Sequence, residues 1–275
     1  MTKTDMQFLA VLAFLPVSIV LAQPSISYGT GAWSPEVFGN HRAVVRVNSR
    51  ADAVWVHLEW RRRDRDPANK QIVIVDAATG KPVANLSRVN INRDSGDLIF
   101  QPVSGPGEYQ VYFLPYITTG RANYPKVAYP PPSVTADPDW LREHHAETPQ
   151  EAGAHRAEFP IAEVLAFQSV DDFDRFTSME VIATQAEVAA LLGQHPRSDY
   201  LIFPEDRRNS IRMTSDLPSL WVQRGPGAPL VGTAARGEFY SFQLGVWAAR
   251  NPLTNLRVQF GDLRDKAIKQ VIPAS

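Results

Sequence analysis

From about residue 41 the chain alternates hydrophobic and polar side chains with period two, the mark of strands that rest one face on a core. Within 54–60, Val54, Val56, Leu58 and Trp60 share one face, and Trp55, His57 and Glu59 share the other. Residues 71–76 are apolar on both faces and predict a more central strand, which the stretch ATGKP at 78–82 then turns. A second turn, DSGD at 94–97, precedes a strand at 98–100, and GPG at 105–107 opens another at 108–114. Short strands with turn signals this regular predict an antiparallel sandwich over residues 23–135.

The texture changes between 115 and 160. Tyr124 before Pro125, and Tyr129 before three prolines, force extended backbone because proline fixes its own φ and restricts its predecessor. Asp137 with Pro138 can cap a short helix through Trp140 to His145. Residues 136–160 therefore read as a crossing segment between two domains. A second β-rich domain is expected over 161–275, opening with a strand at 162–168. Thr184 and Glu187 form a capping box for a helix that Gly193 ends, and a strand follows at 200–203. The long apolar run 238–248 and the alternating run 256–260 predict a hairpin, with a weak final strand near 267–272. The fold class is thus mainly β: two antiparallel sandwich-like domains with short helices in the connections. The second domain is expected to be incomplete or completed by another chain, because a sheet that stops there leaves an unpaired edge.

Composition narrows the function classes. Lys and Arg number 28 against 29 Asp and Glu, a net charge of −1, so the chain has no overall field for a polyanion, and nucleic acid is not expected as a partner. With no cysteine, disulfides, thiol nucleophiles and Cys-ligated metals are excluded. Residues 1–22 read as a secretory signal: a lysine at 3, an apolar run from 8, and small residues placed for cleavage after Ala22. A membrane anchor is the alternative, but the run is short of the roughly 20 residues that a span needs, and Pro16 interrupts it. The mature protein is expected to be secreted or periplasmic, with no membrane contact after the signal is removed.

Candidate chemistry is sparse. HExxH, GxSxG and a phosphate-cradling glycine loop are all absent from the sequence, and His144, His145, Glu147 and Glu151 lack metal-ligand spacing. No metal, cofactor or catalytic residue is assigned. The arginine run 61–65, interleaved with aspartates, reads as a solvated strand end, with a sulfated-glycan or nucleic-acid site as the alternative. Glu205 and Asp206 are followed by Arg207, Arg208 and Arg212, a grouping that reads as a structural ion-pair knot. Neighbouring guanidinium groups would lower both carboxyl pKa values, whereas a glycosidase needs one raised. Flat aromatic rings in irregular segments suit the C–H faces of sugars, which makes Tyr124, Tyr129, Trp140 and Trp221 carbohydrate-binding candidates.

Several segments in order resemble one family: WRRRD at 60–64 with Lys70, GDLIFQP at 96–102, GEYQVYFLPY at 107–116, FPEDR at 203–207 with IRM at 211–213, and GEFYSFQLGVWA at 237–248. Together they resemble the N-terminal region of glycoside hydrolase family 123-like proteins, over about 40–265. The resemblance implies a β-sandwich region that precedes a (β/α)8 barrel. It also implies hexosaminidase chemistry in the full-length relatives, where the substrate's acetamido group attacks and an Asp–Glu pair in the barrel assists. A barrel takes about 250 residues, so none fits after this sandwich, and Glu205 and Asp206 lie outside any barrel and in reverse order. The expected role is scaffolding, or presenting carbohydrate to a catalytic domain or chain that also covers the C-terminal sheet edge. A self-standing carbohydrate-binding module is the alternative, and an active glycosidase with Glu205 or Glu238 as acid is a third reading.

Overall fold

The structure, a computed structural model, describes residues 27–176, 179–264 and 270–274. The signal segment 1–22 therefore lies outside the described residues. The chain is mainly β. Its first half contains β1 (Ser27–Thr30), the helical turn α1 (Pro35–Phe38), β2 (His41–Val47), β3 (Val54–Leu58), β4 (Val73–Asp76), β5 (Leu86–Ile91), β6 (Gly96–Phe100) and β7 (Gly107–Tyr112). A hairpin of β8 (Ile117–Arg121) and β9 (Tyr124–Ala128) follows, then α2 (Pro138–Glu143), α3 (Pro149–Ala154) and β10 (Ile161–Ser169). The remainder holds α4 (Gln185–Gln194), β11 (Tyr200–Asp206), α5 (Ser219–Arg224), β12 (Phe242–Ala248), β13 (Leu263–Arg264) and β14 (Val271–Ile272).

Eight strands form one curled sheet in the order β4-β7-β2-β10-β3-β6-β5, with β1 alongside β10. The strand expected to open a second domain, β10, thus sits in the middle of the first sheet. Its first residues, Ile161 and Ala162, run parallel to Trp55 and Val56 of β3. From Glu163 it turns antiparallel to β2, with a register shift between Val164 and Ala166. Such a bulge bends a strand and raises its twist, which lets one strand serve both halves of the curl. The sheet is therefore mixed rather than purely antiparallel. A parallel neighbour requires a long crossover, and the crossing segment with its two helices supplies it.

The alternation seen in sequence reappears as two cores. Val54, Val56, Leu58 and Trp60 face inward with Val45, Phe100, Val111 and Phe167. The ring of Trp60 lies so close over Gly96 that a Cβ there would overlap it, which explains the glycine inside β6. On the opposite face Trp55 and Ile99 pack beneath Trp140, Ala146 and Ala152 of the crossing segment. The Asp137 carboxylate accepts from the backbone N–H groups of Asp139 and Trp140, so α2 begins where the sequence places its cap, and the Thr148 hydroxyl accepts from the Glu151 N–H to cap α3.

A third core gathers Leu191, Leu201, Phe203, Leu217 and Trp221 between α4, α5 and the ribbon β11–β12. Here the expected hairpin of 238–248 with 256–260 is replaced by another pairing: β12 runs antiparallel to β11, from Tyr200 opposite Ala248 to Asp206 opposite Phe242. Asn251 and Pro252 follow the end of β12 at Ala248, and residues 256–260 form no strand. Residues 267–269 of the expected last strand lie outside the described residues, and among the described residues β14 pairs with β13.

Asp97, on the same face of β6 as Ile99, accepts from Trp55 Nε1 at 3.0 Å and lies 2.7 Å from His57 Nδ1. The Asp97 hydrogen bond raises the His57 pKa against burial. Burial pushes the Asp97 carboxyl up, and the bonds from His57, Trp55 and Asn90 outweigh it, leaving the pKa lowered. The pair's contribution is therefore full between about pH 4 and 6.5, is lost on the acid side as Asp97 protonates, and is lost on the alkaline side as His57 deprotonates. The stability advantage of the wild type over His57→Gln should shrink from pH 6 to pH 9 in thermal unfolding. Parallel curves for the two proteins would show that the pair does not titrate in this way.

Candidate functional site

A cleft of about 840 Å³ opens where the first sheet meets residues 173–176, Glu180 and residues 212–216. Its position follows from the chain path. After Trp60 the backbone N–H groups of Arg61 and Arg62 donate to the carbonyls of Asp94 and Arg93, which lays the arginine run beside the 92–95 turn. The Asn92 Oδ1 holds that turn by accepting from the N–H groups of Asp94 and Ser95. At the other wall the backbone N–H of Val170, just past β10, donates to the Asn40 carbonyl, which brings 171–176 across from His41.

Seven arginines line the cleft, at 61, 62, 63, 65, 93, 175 and 212, against four carboxylates, Asp64, Asp174, Glu180 and Asp216. The expectation of a solvated strand end fails at its first two members. Arg61 forks both terminal nitrogens onto Glu187 at 2.8 and 3.0 Å, so the capping-box glutamate of α4 also ties α4 to the first sheet. Arg62 is 4% exposed, with Nε and Nη2 on Asp64 at 2.8 Å each and its guanidinium over the ring of Trp60. Desolvation raises the Asp64 pKa, but the bonds from Arg62 and Lys70 outweigh it and hold the carboxyl below its usual value. Arg93 makes a second fork, to Asp216 at 2.8 and 2.7 Å. These forked pairs, Arg61 with Glu187 and Arg93 with Asp216, bridge the first sheet and the 180–220 region. The signal was present in the arginine density; the alternation with aspartates hid it, because only Asp64 of those aspartates turns inward.

The 205–212 segment does another job. Glu205 is fully buried and accepts from Trp221 Nε1 at 3.0 Å, from Asn209 Nδ2 at 2.9 Å and from Arg224. Burial raises its pKa, and the Asn209, Arg224 and Trp221 hydrogen bonds reverse this, so the net shift is downward. Asp206 is also shifted down, by the Tyr240 hydroxyl first and then by Arg208. Arg207 pairs with Glu238 rather than with either member of the adjacent pair, and Arg212 reaches Glu180 at 3.4 Å. The ion pairing is real in geometry, but the partners are Arg224 and Arg208.

The four aromatic candidates separate into two groups. Trp140 is buried with Nε1 donating to the Asp52 carbonyl, and Trp221 is buried with its ring stacked 4.8 Å from that of Phe203. Neither presents a face to a sugar, because each fills a core beside a helix that the chain needs there. Tyr124, 80% exposed on β9, and Tyr129, which lines the cleft with Lys70 above its ring, remain accessible. His145 and His155 stack on each other at 4.0 Å in the crossing segment.

The molecule is therefore a mixed, curled β-sheet domain with an appended α/β cluster pinned across an arginine-rich seam. A family model described as glycoside hydrolase 123, N-terminal domain, matches residues 31–170, just over half of the chain. The chain belongs to that family. The match starts after β1 and ends just past β10, so it covers almost the whole of the large sheet. Neither a curated protein nor a solved structure matches the chain.

Replacing Glu205 by Ala strands Arg224, the Trp221 N–H and Asn209 in and around a core, and should lower unfolding stability by about 3 kcal/mol. Because the folded-state pKa of Glu205 is depressed, its contribution is present above the usual glutamate range and fades as pH falls through the folded value. Urea unfolding at pH 7 and pH 4 checks both statements; equal stability of wild type and variant at pH 7 would contradict them.

Proposed function

We propose that the chain is the non-catalytic N-terminal region of an exported glycoside hydrolase 123-like protein, and that its β11–β12 ribbon seats a catalytic barrel outside residues 1–275. The carrying observation is the ribbon's outer face. Cross-strand partners share a face, so Tyr200, Ile202 and Pro204 lie with Ala248, Val246 and Leu244 on the side opposite the third core. Ile202 remains 38% and Leu244 41% exposed, and Tyr200 and Phe242 are exposed beside them. A two-stranded ribbon with one apolar face uncovered is marginal alone, and contiguous exposed apolar surface marks an interface. Membership of a family of glycoside hydrolase N-terminal domains makes a catalytic domain the fitting occupant. Export rests on the 1–22 pattern, and among the described residues no helix is long and apolar enough to cross a membrane.

The carboxyls that a glycosidase reading would use support a scaffolding role. Glu205, Asp206 and Glu238 are all held below their usual pKa, the opposite of what a general acid needs. Carbohydrate binding by the chain itself is a second reading, favoured by the exposed ring of Tyr124 on the β8–β9 hairpin and by Tyr129.

Mixed with a separately produced glycoside hydrolase 123 barrel, the full chain should form a complex detectable by sedimentation. The Ile202→Lys, Leu244→Lys double variant should weaken that complex at least about tenfold while unfolding at the wild-type temperature; absence of any complex with the wild type would overturn the seating role. For the binding-module reading, Tyr124→Ala should reduce saturable glycan binding about fivefold, or roughly 1 kcal/mol. Unchanged binding would remove Tyr124 from it.

A further inference from the structure

We propose that the arginine-lined cleft binds a saccharide bearing an oxyanion substituent, a sulfate ester or a carboxylate, held by Arg62, Arg65 and Arg212. The first support is charge left over after every local pairing. Arg93 is matched by Asp216, and Arg61 by Glu187 outside the cleft. Asp64 serves both Arg62 and Lys70, while Glu180 receives both Arg63 and Arg212. Arg65 is exposed and makes no hydrogen bond or ion pair among the described residues. Arg175 lies 4.0 Å from Asp172, and Asp174 accepts from Asn40 Nδ2. Seven arginines against four carboxylates leave the lining positive in a chain whose net charge is −1.

The second support is a buried donor with nothing to bind. The Arg62 side chain is 2% exposed, its Nε and Nη2 are committed to Asp64, and its Nη1 has no hydrogen-bond partner. A buried N–H left unsatisfied costs about 1–3 kcal/mol, and this one belongs to a side chain lining the cleft. The N–H is closed off from solvent, so a ligand oxygen supplies the missing acceptor by displacing a side chain that covers it. Guanidinium groups bind sulfate and carboxylate oxygens with charge-assisted hydrogen bonds, which neutral sugar hydroxyls match poorly.

The third support is size and the aromatic rim. A bare inorganic anion would fill little of about 840 Å³, a volume in the range of small-molecule sites. Phe173, 87% exposed, and Tyr129 both line the cleft and offer apolar ring surface for the C–H face of a pyranose. The oxyanion half of this proposal stands on the arginines alone. The saccharide half rests on the carbohydrate-handling role proposed above, and neither half depends on barrel seating.

The test is calorimetric titration of the full chain with galactose 6-sulfate, glucuronate, galactose and inorganic sulfate. At least one anionic sugar should bind saturably, about tenfold tighter than galactose and more tightly than inorganic sulfate. The tighter of the two identifies the substituent as ester or carboxylate. Raising NaCl from about 50 to 500 mM should weaken binding, since exposed charges are screened. An Arg65→Gln, Arg212→Gln double variant, changed only at exposed positions, should lose about fivefold in affinity with unchanged thermal unfolding. Arg62→Met should lose at least as much if it folds. Binding of galactose equal to that of both anionic sugars, no binding of either, or full affinity in the double variant would overturn the proposal. Inorganic sulfate binding as tightly as the anionic sugars would overturn the saccharide half.

Discussion

Everything in the molecule depends on where β10 lies. It is a strand with three neighbours, parallel to β3 and β1 and antiparallel to β2, and its bulge after Val164 turns it from one half of the curled sheet to the other. Removing it would leave β2 and β3 as bare edges and expose both faces of a core that includes Phe167 and Ala162. Its position also dictates the crossing segment. To arrive parallel to β3 the chain must travel the length of the sheet outside it, and the two capped helices of that journey shield Trp55 and Ile99. The end of β10 then delivers the chain to Asn40, one wall of the cleft.

The second constraint is that the appended cluster is tied to the sheet by charge rather than by a continuous apolar interface. Arg61 with Glu187 and Arg93 with Asp216 are forked pairs, and the Gln185 N–H donates to Asp94 across the same boundary. Partly exposed pairs contribute modestly to stability but are strict about geometry, because a fork accepts only one orientation. Such a seam fixes alignment, and it leaves a polar gap beside it where a wholly hydrophobic interface would have closed. The cleft is that gap.

Much of this was legible in the sequence, and the failures share a cause. The strand faces at 54–60, the caps at Asp137, Thr184 and Glu187, and the turn at 94–97 are set by residues within a few positions of each other, and local pattern reports them. The partner of β12, the strand order around β10 and the burial of Trp140 and Trp221 depend on contacts across tens of residues. Trp221 reads as a loop aromatic because its short helix has no capping side chain, yet its ring packs on Phe203 and its N–H is fixed by Glu205. Tyr124 keeps its predicted exposure because the β8–β9 hairpin buries nothing.

Net charge misleads for the same reason. A total of −1 describes the field far from the protein, but screening confines each charge to about 8 Å at physiological salt. A ligand in the cleft experiences the guanidiniums around it and little of the acidic residues on the far surfaces. Within the 61–66 run, Asp64 offsets one charge of its two cationic partners, Arg62 and Lys70, and Asp66 faces solvent. Backbone geometry decides this, since Arg61 and Asp66 both adopt left-handed conformations that fold the run back on itself. A linear count of alternating charges assumes an extended strand; the folded run puts four arginines and Asp64 into the cleft lining and leaves Asp66 outside it.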